Sequence, residues 1–124
     1  MDEDDISKCN DLCKLVHGFP REMELRHAKG QGVATMVVQE GTVMGYSAGI
    51  GMFGHSVAKT NKHLKALITN APAILGLGFF VPARNRELIG WLLENGFRIE
   101  WPANLMTMGQ YHEPLTPFLP SLAY

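Results

Sequence analysis

The chain has 124 residues, of which 46% are hydrophobic and 19% are charged, a composition typical of one globular domain rather than of a disordered chain. Its 11 Lys and Arg against 12 Asp and Glu give a formal net charge of −1, which argues against a nucleic-acid partner because such binding usually needs a basic excess. No run of about 20 apolar residues is present, so we expect no membrane-spanning helix. The length of 124 residues predicts a single domain over residues 1–124.

Four of the first five residues are acidic, and residues 1–5 are expected to form a short acidic tail. They lack the basic start and the apolar run of a secretory signal, which predicts a cytoplasmic protein. Cys9 and Cys13 are the two cysteines, and their spacing of four residues on a helix is poor for a disulfide. Two free thiols are consistent with a reducing compartment.

Two helices are predicted first. Asp5 is expected to cap a helix over residues 6–17, and Gly18 to end it in the left-handed conformation. Pro20 fits the first turn of a second helix, over residues 20–29. One face of the first helix carries apolar residues at helical spacing, namely Ile6, Cys9, Cys13 and Val16.

The middle of the chain predicts three strands and a helix. Residues 33–38 and 42–51 read as strands, and the Glu-Gly pair between them is typical of a hairpin turn. A short third strand is expected over residues 54–58. Thr60 or Asn61 is then expected to cap a third helix, whose apolar stripe is Leu64, Leu67 and Ile68.

The last third of the chain predicts three more strands around a fourth helix. The apolar run at residues 79–81 indicates a buried strand, and residues 97–101 and 105–110 read as two further strands. The helix between them covers residues 85–95, with Leu88, Trp91 and Leu92 facing inward. Residues 112–124 form a proline-rich tail that is expected to pack on the body. The whole order predicts an α/β (α+β) fold with a mixed sheet flanked by helices.

The stretch from Asn85 to Phe97 resembles a pattern of the GNAT acyltransferase family. GNAT proteins often carry Asn-x-x-Ala-x-x-x-Tyr-x-x-x-Gly-Phe across the helix after a strand, and Asn85, Gly96 and Phe97 match it. Leu88 and Leu92 replace the small residue and the tyrosine. The longer stretch from Gly45 to Tyr124 resembles the C-terminal half of bacterial proteins with two GNAT-like halves. The resemblance implies a GNAT-like, mostly antiparallel sheet whose first strand is missing.

The resemblance also implies an N-acetyltransferase that moves an acetyl group from acetyl-CoA to a small-molecule amine. In this family the cofactor lies between the fourth and fifth strands, here near Val57 and Phe80. By resemblance, the cofactor-binding residues are Val57, Ala58, Lys59, Thr60 and Asn85. The family holds the pyrophosphate with a glycine-rich loop, whereas the matching stretch here, residues 56–61, has no glycine. Asn85 has a second interpretation as a helix cap.

The alternative hypothesis is a catalytically inactive GNAT-like module that forms a homodimer or binds a small ligand. It is favoured by the missing glycines, by the absent first strand and by Leu92, which has no proton to give where the family has an acidic tyrosine. Relatives of this half sit beside a second half, and a homodimer would replace it. No catalytic residue is assigned. Tyr46 or Tyr111 could replace the family tyrosine as proton donor only through a different geometry.

Scattered polar residues offer other candidates. Cys9, Cys13 and His17 fall on one helical stripe, which is either half of a soft-metal site or a core face; we favour the core face and predict no metal. His55 and then His112, followed by Glu113, are the histidines to test as bases, although a surface position is the simpler interpretation of each. Arg84 and Arg86 could pair with a phosphate or lie free on the surface.

Overall fold

The computed structural model describes residues 1–18, 20–100, 102–103, 114 and 116–121. Within them the chain forms four helices and six strands. Their order is α1 Glu3–His17, α2 Glu22–Gly30, β1 Thr35–Gln39, β2 Thr42–Ser47, β3 Ile50–Gly51, β4 Ser56–Ala58, α3 Asn61–Thr69, β5 Ile74–Leu75, α4 Arg86–Glu94 and β6 Phe118–Leu119. The predicted α+β class is confirmed. Among these helices, none combines the length and the apolar character needed to cross a membrane.

The main sheet has four antiparallel strands in the order β1-β2-β4-β6, and β3 pairs with β5 in a small parallel sheet. The predicted hairpin between β1 and β2 is confirmed. Both of its turn residues, Glu40 and Gly41, have positive φ angles of 52° and 77°. Such a pair matches the right-handed twist of the strands that it joins.

Two hydrophobic cores lie on opposite faces of the main sheet. Successive side chains of β4 point to opposite faces, so Val57 packs with Tyr46 under α1 and α2, whereas Ala58 packs with Leu64 under α3 and α4. The predicted apolar faces of α1 and α3 are buried as expected. In α4, Leu88 and Leu92 are buried and Trp91 is half-buried.

The helix ends follow local capping signals, with one correction. α1 begins at Glu3 because Asp2, not Asp5, is the cap: Asp2 accepts from the Asp5 backbone N–H, and the Asp5 carboxylate accepts from the Asp2 N–H. The left-handed Gly18 ends this helix, as predicted, with a φ of 84°. α2 begins at Glu22, after the predicted Pro20 start. Thr60 and Asn85 cap α3 and α4 with their side chains, as predicted.

Two strand predictions are wrong and one is split. Residues 79–81 are partly buried but form no strand, because the sheet position beside β4 is taken by β6. Residues 97–100 are exposed and form no strand either. The predicted strand over 42–51 is two strands, broken at Gly49 with a φ of 118°. The predicted strand over 105–110 lies outside the described residues.

β5 was not among the predicted strands. It pairs with β3, where Gly51 lets the backbones approach: a Cβ added there would lie 2.7 Å from the carbonyl oxygen of Leu75. The described part of the C-terminal tail packs on the body as predicted. Its Phe118 and Leu119 are buried in β6, while Leu115, Leu122 and Tyr124 lie outside the described residues.

Candidate functional site

The five residues predicted to bind the cofactor lie around the N-termini of α3 and α4. Val57 and Ala58 are fully buried in β4. Lys59 and Thr60 follow as exposed residues, and the Lys59 backbone N–H donates to the carbonyl oxygen of Met44 at 2.9 Å. Asn85 is half-buried at the start of α4. The structure therefore brings the two predicted segments together, although only Asn85 contributes to the wall of a cleft.

A reciprocal pair of amide hydrogen bonds ties the two helix N-termini to each other. Asn61 Nδ2 donates to Asn85 Oδ1 at 3.0 Å, and Asn85 Nδ2 donates to Asn61 Oδ1 at 2.9 Å. Asn85 Oδ1 also accepts from the Leu88 backbone N–H at 3.3 Å. Asn85 therefore caps α4, which is one of its two interpretations. The same side-chain amide also bonds to Asn61 and so holds the start of α3.

A cleft of about 310 Å³ opens beside this amide pair. That volume is at the lower end of the range for small-molecule sites. Arg84 is the one charged side chain among the described residues that line it, and the partial positive charge of two helix N-termini adds to it. The cleft therefore favours an anionic group. It is lined by Asn61, Pro82, Arg84, Asn85, Pro114, Thr116, Pro117 and Phe118.

The C-terminal segment closes the edge of β4 where the resemblance would place the pantetheine arm of acetyl-CoA. The Ala58 backbone N–H donates to the carbonyl oxygen of Pro117 at 3.0 Å, and Val57 pairs with Phe118. With this segment in place, the residues fit an anionic group beside Arg84 but leave no backbone donor at Ala58 for a pantetheine arm. Leu92, at the position of the family tyrosine, is buried in the core beneath α4.

No protein-family model matches this chain, and no curated protein or solved structure matches it. Kinship with the GNAT family therefore stays a prediction from the residues quoted above.

A second polar cluster, which we call the relay, consists of the buried His55 and Tyr46 and of Glu24, whose side chain is 44% exposed. His55 is 1% exposed; its Nδ1 lies 2.9 Å from Glu24 Oε2, and its Nε2 lies 2.8 Å from the Tyr46 hydroxyl oxygen. The Nδ1 contact has ion-pair distance without hydrogen-bond geometry, and a carboxylate can only accept; the two contacts therefore favour the tautomer with the proton on Nδ1, in which Nε2 accepts from the tyrosine. The surface position expected for His55 is wrong. His112, Glu113 and Tyr111 lie outside the described residues.

Burial sets the protonation of this cluster. It is the largest cause that lowers the pKa of His55, against the opposing effect of Glu24, and it raises the pKa of Tyr46. The contact with His55 in turn lowers the pKa of Glu24. At neutral pH the relay therefore holds one carboxylate, one neutral imidazole and one phenol, which is the arrangement that its geometry requires.

The relay was missed by sequence reasoning because its members lie on different elements. Glu24 is on α2, Tyr46 is on β2, and His55 precedes β4. No local spacing links them. The one signal was a histidine among glycines, which pointed to His55 alone.

The stripe of Cys9, Cys13 and His17 is the core face that we favoured. Burial raises the pKa of the Cys9 thiol to about 12 and raises that of Cys13, so both stay protonated and are poor ligands or nucleophiles. Burial also lowers the pKa of His17 to about 4. Across the described part of the chain, no three His, Cys, Asp or Glu side chains are grouped to hold a metal.

Tyr46→Phe should lower the free energy of unfolding by about 1–3 kcal/mol, because it leaves the buried His55 Nε2 without its donor. Urea unfolding at pH 7 measures the loss. Val38, an exposed residue of β1 that pairs with Val43, provides a control, since Val38→Thr should change stability by less than about 0.5 kcal/mol. A Tyr46→Phe protein as stable as the wild type would contradict the bond.

Proposed function

We propose that the chain is a GNAT-like binding module that holds a small ligand with an anionic group in the cleft between the N-termini of α3 and α4. The observation that carries the proposal is the position of the Arg84 guanidinium in the cleft lining, beside two capped helix N-termini that the Asn61–Asn85 amide pair holds together. Backbone N–H groups and the dipole at helix N-termini favour anions.

The absence of a proton donor at the family's tyrosine position supports binding without catalysis. Leu92 is 6% exposed and packs with Leu88 in the core, so no side chain at that position can protonate a departing thiolate. The relay tyrosine, Tyr46, is fully buried on the opposite face of the sheet and packs in the other core.

N-acetyl transfer from acetyl-CoA to a small amine is the second candidate. The position of the cleft favours it, because Asn85, which resembles the family asparagine, forms part of the wall. Holding the amine against the thioester would then supply most of the rate acceleration, since positioning alone gives large effective molarities. The two candidates share the ligand site and differ in turnover.

A homodimer is the assembly that we propose for this module. The small β3–β5 sheet presents half-exposed Ile74 and Leu75, and Leu77 beyond it is 84% exposed. Pairing of two copies would cover these side chains. Light scattering after gel filtration should give twice the mass of 13.7 kDa. The Leu77→Lys variant should shift the protein to monomer, and a wild-type monomer at high concentration would contradict the dimer.

Acetyl-CoA should raise the melting temperature of the protein in a concentration-dependent way. A ligand at 100 times its Kd adds about 2.7 kcal/mol to the free energy of unfolding. Arg84→Gln should remove most of this gain, because it deletes the cleft's positive charge. Arg86→Gln is the matched control: this neighbouring arginine is exposed and is not part of the lining, so the gain should persist.

The Asn85→Asp variant provides a second test of the site in the same melting-temperature experiment. The aspartate keeps an oxygen to cap α4 but brings a negative charge to the cleft, so the protein should fold while the acetyl-CoA shift falls. No shift with millimolar acetyl-CoA in the wild type, or an unchanged shift in both variants, would contradict the proposed site. Thiol release in the presence of a panel of amines then separates the candidates: steady release would replace the binding module by the acetyltransferase.

A further inference from the structure

A second cleft lies where the middle of α1 meets the start of α2. Its volume is about 400 Å³, which is within the range for small-molecule sites. Among the described residues, none lines both this cleft and the one beside Arg84. Four of the seven described residues that line the second cleft are charged, namely Lys14, Arg21, Glu22 and Glu24. A ligand there would therefore meet a wall that carries both signs of charge.

Two of these four charges are already engaged within the protein. Glu22 Oε1 accepts from Arg26 Nε and Nη2 at 2.9 and 2.6 Å. The Arg21 side chain is 3% exposed, and its Nη1 lies 3.7 Å from Glu24 Oε2. The Lys14 side chain, by contrast, is 53% exposed, and its Nζ approaches the Asp11 carboxylate only to 4.0 Å. Lys14 and Glu24 are therefore the cation and the anion that the cleft offers to a ligand.

The relay holds the Glu24 carboxylate by one of its two oxygens. Oε2 is the oxygen that lies 2.9 Å from His55 Nδ1 and 3.7 Å from Arg21 Nη1. Oε1 has no hydrogen bond to any other described residue, and the side chain is 44% exposed. The contact with His55 lowers the pKa of Glu24, so the carboxylate is ionised at neutral pH. An ionised oxygen on a carboxylate that is already positioned can bind a cationic N–H group at a small cost in entropy.

Donors for an anionic group come from both helices. Lys14 supplies an ammonium group from α1. Asn10 is 8% exposed, and its Oδ1 accepts from the Arg21 backbone N–H at 2.9 Å, while its Nδ2 has no hydrogen-bond partner among the described residues. The Arg21 side chain makes no capping hydrogen bond to α2, so the first N–H groups of that helix add to the donors.

We propose that the second cleft binds a small zwitterion of the amino-acid class. The ammonium group of the ligand donates to Glu24 Oε1, and its carboxylate accepts from Lys14 and from Asn10 Nδ2. Pro20 and the exposed Met23 complete the lining with apolar surface, which favours an aliphatic side chain. This inference goes beyond the proposed function, because it assigns a different class of ligand to a separate site.

Three ligands with related carbon skeletons test whether both charges are needed. L-Leucine carries both groups, 3-methylbutylamine lacks the carboxylate, and 4-methylpentanoate lacks the ammonium group. In a ¹H–¹⁵N NMR titration at pH 7, leucine should shift the amide signals of the lining residues on α1 and α2. Each analogue should bind about tenfold more weakly than leucine, because it loses one charge-assisted contact. Analogues that bind as tightly as leucine, or the absence of shifts at tens of millimolar leucine, would overturn the proposal.

Two variants assign the two ends of the ligand. Glu24→Gln keeps the shape of the side chain but removes its charge, and it should weaken leucine binding about tenfold. Lys14→Gln should weaken it about threefold, because exposed ion pairs contribute little. Since Lys14 is exposed, this variant tests the site even if Glu24→Gln fails to fold. Lys8→Gln is the matched control, since Lys8 is a half-exposed lysine of α1 outside the lining. Leucine binding that is unchanged in Lys14→Gln, or weakened equally in Lys8→Gln, would overturn the assignment.

Discussion

Among the glycines that the structure describes, Gly54 should tolerate alanine least, and Gly54→Ala should cost about 3 kcal/mol of the free energy of unfolding. A Cβ at position 54 would lie 2.1 Å from the carbonyl oxygen of Gly49 and 2.8 Å from its carbonyl carbon. Both are backbone atoms, so no side-chain rotation relieves the clash. The loop that leads from β2 to β4 would have to open.

Gly90→Ala is the matched control, because it makes the same chemical change where there is space. Gly90 lies inside α4, and a Cβ there has no atom within 4 Å. Alanine should stabilise the helix by about 0.5–1 kcal/mol, since glycine loses more conformational freedom on folding. Urea unfolding of both variants gives the comparison. If Gly54→Ala lies within about 0.5 kcal/mol of the wild type, the close approach of Gly49 and Gly54 is wrong.

Acid should destabilise the fold well above the range in which carboxylates protonate. The pKa of His17 is lowered to about 4 and that of His55 is lowered from 6.5, in each case chiefly by burial. As the pH falls below 6.5 the unfolded chain takes up protons that the folded chain refuses, so stability decreases. Each such histidine contributes a slope of about 1.4 kcal/mol per pH unit. Between pH 6.5 and 4, His17 alone accounts for about 3 kcal/mol.

A pH series of urea unfolding curves measures this slope, and two variants assign it. The glutamine in His17→Gln cannot titrate, so this variant should lower the slope between pH 6.5 and 4 by about 1.4 kcal/mol per pH unit, the contribution of one proton. His55→Gln should likewise reduce the slope below pH 6.5, because burial lowers the pKa of His55. Glu24, whose pKa is lowered by His55, adds its loss at still lower pH. A free energy of unfolding that stays flat from pH 6.5 to 5 would contradict the neutral burial of both histidines.

The elements predicted well from sequence are those fixed by nearby residues. The first, third and fourth helices carry apolar stripes at helical spacing, and Thr60 and Asn85 cap α3 and α4 through bonds within three residues. The β1–β2 turn depends on Glu40 and Gly41 alone. Even the wrong cap of α1 was an error of one acidic residue for another, because Asp2 and Asp5 bond to each other.

The features that sequence reasoning missed depend on contacts between residues that lie far apart in the chain. The apolar run at residues 79–81 looks like a buried strand, but its place beside β4 goes to residues 118–119, some 40 positions later. In the candidate site, Asn85 was found through a family pattern, whereas its partner Asn61 was known only as a helix start. Their amide pair spans 24 residues, and no local spacing encodes it.

The strand β4 contacts both hydrophobic cores through adjacent side chains, Val57 on one face of the sheet and Ala58 on the other. A distortion of this strand therefore disturbs the packing of both helical layers at once. We therefore expect the two helical layers to unfold cooperatively, so that α1 and α3 lose their order together.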